Sequence, residues 1–182
     1  MPRSSTVIII RHAEKNRSTK SLSQQGLYRA HAYAEYFYQL NLDGDPFTPD
    51  HIFAAASTSK SIRPTETVQR LAHRLNIHIH NKFNENDAKG LVQHLSHSHF
   101  DGGQILICWR HEGALELAKE FGVKPHLLGA NSGWPSTWND KDYGTMLILR
   151  FDANGNVDVG RTYSLNQKLM ATDIDDSLLL ES

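Results

Sequence analysis

Two continuous apolar runs constrain the fold of this chain more than any other feature of its sequence. The first covers residues 7–10, and the second covers Gln104–Trp109. Aliphatic runs without polar alternation are typical of strands that are buried on both faces of a parallel sheet. Segments with helical spacing separate these and other short apolar runs. The sequence therefore predicts an α/β fold, a three-layer α/β/α arrangement with a mostly parallel central sheet.

Four segments show the periodicity of helices that turn one apolar face toward a core. They cover residues 24–40, 64–75, 87–95 and 114–121. Ser23 is expected to cap the first helix, because a serine side chain accepts a hydrogen bond from a free backbone N–H of the first turn. Pro64 is tolerated in the first turn of the second helix, where no N–H is needed.

Shorter apolar stretches predict the rest of the sheet. Residues 51–55 and 77–80 form two short strands, the latter at or near an edge. Residues 145–151 and 157–163 are predicted to form a closing antiparallel edge hairpin around Asn154-Gly155. We predict one domain over residues 1–165, followed by a loosely held acidic tail over residues 166–182.

The charge balance excludes several classes of partner. The 182 residues include 19 lysines and arginines and 20 aspartates and glutamates, so the net charge is −1. No global field therefore attracts nucleic acid or anionic lipid.

No apolar run is long enough for a membrane span or a signal-peptide core. With one cysteine, Cys108, an internal disulfide is excluded. We expect a cytoplasmic protein that binds neither nucleic acid nor membranes, and its oligomeric state is left open.

An arginine–histidine pair follows each of the two strong strands. Arg11-His12 ends the first, and Arg110-His111 follows the second. Carboxyl ends of parallel strands lie at one edge of the sheet, where open α/β folds bind ligands, and the segment after another strand brings Arg63 to the same edge. Arginine forks bind phosphate oxygens, and a neutral histidine has a lone pair that can attack phosphorus. These residues predict an anion site with a nucleophile in it.

Four short motifs occur in a fixed order along residues 6–121. They are Arg11-His12-Ala13-Glu14-Lys15, then Leu22-Ser23-Gln24-Gln25-Gly26 with Arg29-Ala30 after it, then Ser59, Arg63 and Thr67 at four-residue spacing, and finally the strand that leads into His111-Glu112-Gly113. Together they resemble the motifs of the histidine phosphatase superfamily, also called phosphoglycerate mutase-like, in its small Arg-His-x-Glu-Lys form.

The resemblance implies roles for two groups of residues. The phosphorylated nucleophile is His12, and the residues that hold the phosphoryl group are Arg11, Arg63 and His111. The residues that bind the rest of the substrate are Ser23, Ser59 and Lys15, although Glu14 and Lys15 fit a solvated pair equally well. The implied site needs no metal and no other cofactor. Its implied partner is a small phosphorylated metabolite or a phosphoprotein.

The proton donor to the leaving alcohol has three candidates. Glu112 occupies the position that one branch of the family uses, directly after the second histidine. Glu85 and Asp87 lie where the other branch places its acid, and the short chain suits that branch. The residues that usually surround the donor glutamate in that branch are not recognisable around residues 83–87. We therefore place Glu112 among the catalytic residues and keep the two upstream acids as the alternative.

The motifs as a set predict a metal-independent phosphatase that hydrolyses a phosphomonoester through a phosphohistidine on His12. Two alternatives stay open. A phosphoglycerate mutase-like phosphotransferase would use the same site, but it needs enclosing loops to retain its intermediate, and this short chain offers few. A non-catalytic phosphate-binding module would account for the missing context around the donor.

Eleven histidines invite a metal-site interpretation. His94, His97 and His99 are closely spaced, and His78 alternates with His80. No cysteine lies near them, and the one local acid, Asp101, lies in a glycine turn. A solvated polar face accounts for these histidines better than a zinc site does.

Overall fold

The computed structural model describes residues 1–173. Its helices are α1 (Gln24–Tyr36), α2 (Arg63–Leu75), α3 (Ala88–Leu95) and α4 (His111–Glu120), with short 3-10 turns at Ser98–Phe100, Pro125–Leu127 and Ala171–Asp173. Its strands are β1 (Thr6–Arg11), β2 (Leu40–Leu42), β3 (Asp45–Phe47), β4 (His51–Ala54), β5 (Ile79–His80), β6 (Gln104–Trp109), β7 (Thr145–Arg150) and β8 (Tyr163–Asn166).

Six of these strands form one sheet in the order β5-β4-β6-β1-β7-β8, and β2 and β3 form a separate hairpin. The pairings β5–β4, β4–β6 and β6–β1 are parallel, whereas β1–β7 and β7–β8 are antiparallel. The predicted α/β class, with a mostly parallel sheet and an antiparallel edge, is therefore confirmed.

The apolar run at the start of the chain is buried on both faces of the sheet. Val7 and Ile9 pack into one core with residues of α3 and α4, while Ile8 and Ile10 pack into a second core with residues of α1 and α2. All four side chains are fully buried. Because successive side chains of a strand point to opposite faces, a strand between two helical layers has no position for a polar residue.

The register between β1 and β6 brings the two predicted anion-binding segments together. Arg11 at the end of β1 pairs with Trp109 at the end of β6. The next residue continues the ladder, because the backbone N–H of His12 donates to the carbonyl of Trp109 at 3.1 Å. The strand β4 ends on the other side of β6, where the N–H of Ala55 donates to the carbonyl of Cys108 at 3.0 Å. Three strands thus end side by side at one edge.

The first helix ends earlier than predicted. The spacing extended it to Leu40, but α1 ends at Tyr36, and Leu40 begins the short hairpin of β2 and β3. Asp43 and Gly44 form its two-residue turn, with φ of 56° and 95°. Positive φ at both turn positions matches the twist of a hairpin, which accounts for the change from helix to strand.

Within residues 1–173, no helix has the length and apolar character needed to cross a membrane.

The predicted second strand of the closing hairpin, residues 157–163, is wrong in position. Only a single bridge joins Phe151 to Val157, and the partner of β7 is β8, which begins at Tyr163. The cause is a second turn inside the predicted strand, where the N–H of Arg161 donates to the carbonyl of Asp158 at 3.1 Å. This turn interrupts the ladder.

The residues after β8 pack on the domain as far as the structure describes them. Gln167 and Asp173 are buried, and Asp173 pairs with Arg29 of α1. Residues 166–173 of the predicted tail are therefore not loosely held. The rest of that tail, which includes Asp175 and Asp176, lies outside the described residues.

A buried ion network fixes the segment directly after β1. The guanidinium of Arg29 is fully buried and bonds to the carboxylates of Glu14 and Asp173, each at 2.7 Å. Ser23 caps α1 as predicted by accepting from the N–H of Gly26, and its own N–H donates to the carbonyl of Glu14 at 2.8 Å. A Cβ on Gly26 would lie 2.3 Å from that carbonyl oxygen, so this close approach requires glycine.

Candidate active site

His12 directly follows β1, at the edge of the sheet where β1, β4 and β6 end. Its side chain is buried, and its ring nitrogen Nδ1 lies 2.7 Å from the carbonyl oxygen of Ala13. A carbonyl accepts only, so Nδ1 carries the proton and Nε2 keeps a free lone pair. The Ala13 carbonyl thus selects the tautomer that a nucleophilic histidine needs.

The electrostatic surroundings keep this imidazole neutral. Burial, together with the charges of Arg11, Arg63 and His111, lowers the pKa of His12 to about 4, against the opposing effect of the hydrogen bond to Ala13. Burial and nearby positive charge both disfavour the protonated ring. His12 is therefore neutral at pH 7, and it is surrounded by groups that attract anions.

Arg11 is buried beside His12 and is held by neutral groups. One of its terminal nitrogens donates to the carbonyls of Asn139, Asp140 and Asp142. The guanidinium carbon lies 3.9 Å from the centre of the Tyr143 ring. The Nε of Arg11 is buried and finds no acceptor among residues 1–173. Because its partners are carbonyls and a ring, the charge of Arg11 is oriented without being neutralised.

Arg63 reaches the same place from the first turn of α2. The hydroxyl of Thr67 donates to the Arg63 carbonyl at 2.8 Å and accepts from the backbone N–H of Ala13 at 2.9 Å. This one hydroxyl ties α2 to the residue next to His12, which explains the spacing of Arg63 and Thr67 in the sequence. The half-buried Arg63 also has a buried Nε without an acceptor in the described part of the chain.

His111 and Glu112 begin α4, next to the end of β6. Burial and the charges of Arg11 and Arg110 lower the pKa of His111, with Glu112 acting in the opposite direction. The Oε2 of Glu112 lies 3.1 Å from Nδ1 of His111 without the alignment of a hydrogen bond. Burial acts to raise the pKa of Glu112, but the hydrogen bond from Arg110 and the nearby His111 outweigh it and lower that pKa.

The two upstream acids have different surroundings. Glu85 forms an ion pair with Arg110, so Arg110 joins it to Glu112 in one cluster. Asp87 caps α3, with its carboxylate accepting from the N–H of Gly90 at 3.0 Å. The structure therefore brings Glu85 close to Glu112 and gives Asp87 a capping contact in a helix.

A cavity of about 700 Å³ opens beside Arg63 and Tyr143. Two of the predicted substrate-binding residues, Lys15 and Ser23, line it. Ser59 does not line it, and its exposed side chain makes no hydrogen bond to another residue of the range 1–173. The structure thus places His12 near the two arginines and His111, and Arg63 near Lys15 and Ser23 on the cavity. His12, Arg11 and His111 do not line this cavity, and Ser59 lies outside it.

Sequence reasoning missed the loop at residues 139–143. It lies far along the chain from the recognised motifs, yet its carbonyls hold the Arg11 guanidinium. Three of its residues line the cavity, namely Asp140, Lys141 and Tyr143. Every residue type has a backbone carbonyl that can accept a hydrogen bond. The sequence therefore cannot identify which carbonyls contact the Arg11 guanidinium. The one clue was Trp138, whose burial and hydrogen bond to the Asp142 carbonyl anchor the loop.

The closely spaced histidines lie elsewhere. The rings of His94, His97 and His99 are 6.2–6.3 Å apart between centroids, and His94 packs against Phe53 and Phe100. Within residues 1–173, no group of three or more His, Cys, Asp or Glu side chains has an arrangement that could hold a metal ion.

Comparison with known proteins gives matches among solved structures only. No protein-family model matches the sequence, and no curated protein matches it. The protein histidine phosphatase SixA complexed with tungstate aligns with a TM-score of 0.53 and 15% identity, over 87% of this chain and 96% of its own.

Two further structures align at a similar level. Phosphoserine phosphatase from Entamoeba histolytica, in complex with 3-phosphoglyceric acid, gives a TM-score of 0.52 and 12% identity over 91% of this chain and 100% of its own. Mycobacterial glucosyl-3-phosphoglycerate phosphatase in complex with VO3 gives a TM-score of 0.52 and 14% identity, over 86% of this chain and 98% of its own. At these identities the likeness concerns the fold, and it spans most of the chain.

We predict that the ring of His12 titrates near pH 4 in the free protein, because burial and three neighbouring cationic groups disfavour its protonated form. NMR of protein labelled in its histidine rings measures this pKa, and the spectrum of His12→Asn identifies the signal. Inorganic phosphate should raise the pKa, since a bound anion stabilises the charged ring. An ordinary value near 6.5 that phosphate leaves unchanged would contradict the proposed electrostatics.

Proposed function

We propose that this chain, which has the fold of the histidine phosphatase superfamily, hydrolyses a phosphomonoester through a phosphohistidine on His12 without a metal ion. One observation carries the proposal. His12 is buried and neutral, its tautomer is set by Ala13, and Arg11, Arg63 and His111 act on it electrostatically. A nucleophile surrounded by cations with unused N–H groups is suited to attack an anionic phosphoryl group.

In the first step, Nε2 of His12 attacks phosphorus, and the bond from phosphorus to the ester oxygen breaks. The electron pair of that bond leaves with the oxygen, which takes up a proton and departs as the alcohol. The transition state for such a transfer is loose, with its charge spread over three equatorial oxygens. Positioning and electrostatic stabilisation therefore account for most of the catalysis.

The cationic groups supply that stabilisation. The Nε donors of Arg11 and Arg63 are buried without an acceptor among residues 1–173, and carbonyls hold the Arg11 guanidinium before the substrate binds. A donor fixed in advance needs no reorganisation during the reaction. The pKa of His111 is lowered in the free protein, but a phosphoryl dianion bound beside it favours protonation of its ring. Together these groups provide the positive charge that a metal ion provides in other phosphatases.

In the second step, water attacks the phosphohistidine. The bond from phosphorus to nitrogen breaks, and His12 regains its lone pair. One proton of the water goes to the carboxylate that protonated the alcohol, so inorganic phosphate forms and the acid is restored. The same three groups stabilise the charge again, since the phosphoryl oxygens occupy the same positions. The open cavity beside Arg63 gives water access, which favours hydrolysis over return of the phosphoryl group to a retained alcohol, as a mutase requires.

Glu112 is our proposed donor of the proton to the leaving alcohol. Arg110 favours its ionised form in the free protein, and Glu85 competes for the same guanidinium. A phosphoryl dianion bound nearby would raise the pKa of Glu112 and favour the protonated form.

The binding of 3-phosphoglyceric acid by the Entamoeba phosphatase supports a small phosphorylated metabolite as the substrate class.

We predict that hydrolysis of p-nitrophenyl phosphate continues unchanged in a strong chelator, because the stabilising charge comes from protein side chains.

His12→Asn should lose at least about 10⁴-fold in kcat on the same substrate, since it removes the nucleophile. His31→Asn, at an exposed position on α1, is the matched control and should stay within about twofold. An active His12→Asn, or a loss in chelator that zinc or manganese restores, would refute the mechanism.

Glu112→Gln should lose about 100-fold on an alkyl phosphate and change little on an aryl phosphate, because only the alkoxide needs a proton as it departs. Steady-state kinetics on both substrates measures the difference. Glu116→Gln, one turn further along α4, is the control. Equal losses on both substrates would assign Glu112 to the support of protonated His111, and a selective loss in Glu85→Gln would transfer the donor role to Glu85.

A further inference from the structure

One guanidinium lies between two carboxylates at the start of α4. The Nε and one terminal nitrogen of Arg110 donate to the carboxylate of Glu112, at 3.3 and 3.2 Å, and the other terminal nitrogen donates to the carboxylate of Glu85. The two acids come from different parts of the chain, since Glu112 lies in the first turn of α4 and Glu85 lies between β5 and α3. Arg110 therefore supplies one positive charge to two negative charges.

A third carboxylate near this pair has a cation of its own. Glu116 lies one turn beyond Glu112 on α4 and lines the same cavity, of about 350 Å³, as Glu85, Glu112 and Arg110. Its carboxylate bonds to Lys119 at 3.2 Å. The charge imbalance around Arg110 thus concerns Glu85 and Glu112.

The two acids differ in how firmly they are held. The backbone carbonyl of Glu85 accepts from the indole N–H of Trp109 at 3.1 Å, and the Glu85 side chain is 29% exposed. A Cβ on Gly113 would lie 3.3 Å from that same carbonyl oxygen, so the Glu85 backbone packs directly on the first turn of α4. The side chain of Glu112 is 57% exposed. Glu85 is thus the fixed partner of Arg110, and Glu112 is the partner with room to move.

Substrate binding changes the charge around Glu112. In the free protein Arg110 and His111 favour its ionised form. Arg11 also attracts this carboxylate, while Asp140 attracts Arg11 and His111. In the proposed mechanism Arg11 and His111 bind the phosphoryl dianion, and the added negative charge raises the pKa of Glu112. Arg110 is then the cation that still opposes protonation of Glu112.

We infer that Glu85 is a positioning residue for the proton donor, because it retains the Arg110 guanidinium when substrate binds and so allows Glu112 to take up a proton. This inference rests on the proposed phosphatase function. The proton comes from solvent as the phosphoryl dianion binds, and Glu112 passes it to the ester oxygen as the bond to phosphorus breaks. The attacking water of the second step returns a proton to Glu112. Glu85 stays ionised throughout, with Arg110 as its counter-charge.

Substitutions of the two neighbours of Glu112 should have opposite effects. Glu85→Gln removes the competing carboxylate, so Arg110 holds Glu112 in its ionised form and the pKa of Glu112 falls. Arg110→Gln removes the cation, so that pKa rises. The kcat for ethyl phosphate falls as pH rises through the pKa that Glu112 has in the enzyme–substrate complex. We expect this basic limb to move down by about 0.5 to 1 pH unit in Glu85→Gln and up by a similar amount in Arg110→Gln.

The pH dependence separates positioning from proton donation. At pH 7 the Glu85→Gln variant should lose about 3- to 10-fold in kcat on ethyl phosphate, and a lower pH should restore the rate, because Glu112 is still present to donate. The loss expected of Glu112→Gln is restored at no pH. Hydrolysis of p-nitrophenyl phosphate, whose leaving group needs no proton, should show neither the loss nor the shift of the basic limb.

Three further variants are the controls. Glu116→Gln and Arg70→Gln remove the same charges from exposed positions on α4 and α2, and they should leave the basic limb within about 0.2 pH unit of its original position. Arg110→Lys keeps the positive charge and should keep the limb within about 0.3 pH unit.

The inference is overturned if the basic limb stays in place or moves up in Glu85→Gln, or if both variants shift it in the same direction. A loss in Glu85→Gln that no pH restores would also overturn it, because that result makes Glu85 the donor itself. Equal losses on both substrates would reduce Glu85 to a structural role. If Arg110→Gln does not fold, the direction of the shift in Glu85→Gln decides alone.

Failure of the unsubstituted protein to hydrolyse p-nitrophenyl phosphate would instead refute the phosphatase proposal. NMR titration of the Glu112 carboxyl in the presence of inorganic phosphate would then decide whether Glu85 controls it through Arg110. A lower pKa in Glu85→Gln than in the unsubstituted protein supports that control, and an equal or higher pKa contradicts it.

Discussion

The parallel pairing of β1 with β6 determines where the residues of the site lie. It places Arg11 opposite Trp109, so that each strand releases its Arg-His pair at the same level of the sheet. A shift by one residue would turn every side chain of β1 to the other face and move His12 out of the site. The apolar side chains on both faces fix this register, because Val7 and Ile9 belong to one core and Ile8 and Ile10 to the other.

The site combines a neutral nucleophile with charges that stay available. Burial would ordinarily lead a charged arginine to pair with a carboxylate. Arg29 does so, and its bonds to Glu14 and Asp173 hold the segment after β1. Arg11 is equally buried but is held by carbonyls and by Tyr143, which orient its guanidinium and leave its charge for an anion. The two arginines thus show how one residue type serves structure in one place and anion binding in another.

The features that the sequence predicts correctly are those with a local physical cause. The two apolar runs identify β1 and β6, Ser23 caps α1, and the arginine–histidine pairs lie where the strands end. The predicted resemblance to histidine phosphatases is confirmed at the level of the fold.

Features that depend on distant contacts were missed or misplaced. The helix pattern up to Leu40 gave no sign that a hairpin would begin there, and the turn near Asp158 moved the last strand to Tyr163. The backbone carbonyls around Arg11 and the burial of Asp173 arise from residues more than a hundred positions away. Residue types alone carry no information about such pairings.

Trapping the phosphorylated intermediate tests whether His12 carries the phosphoryl group. The protein is mixed briefly with a phosphate ester, quenched in alkali, and digested with trypsin, which cleaves after Arg11 and Lys15 and separately after Arg110 and Lys119. The two candidate histidines then fall on different peptides. We expect an alkali-stable, acid-labile phosphate on residues 12–15. Phosphate on residues 111–119 or on a serine, or turnover without any phosphorylated peptide, would contradict it.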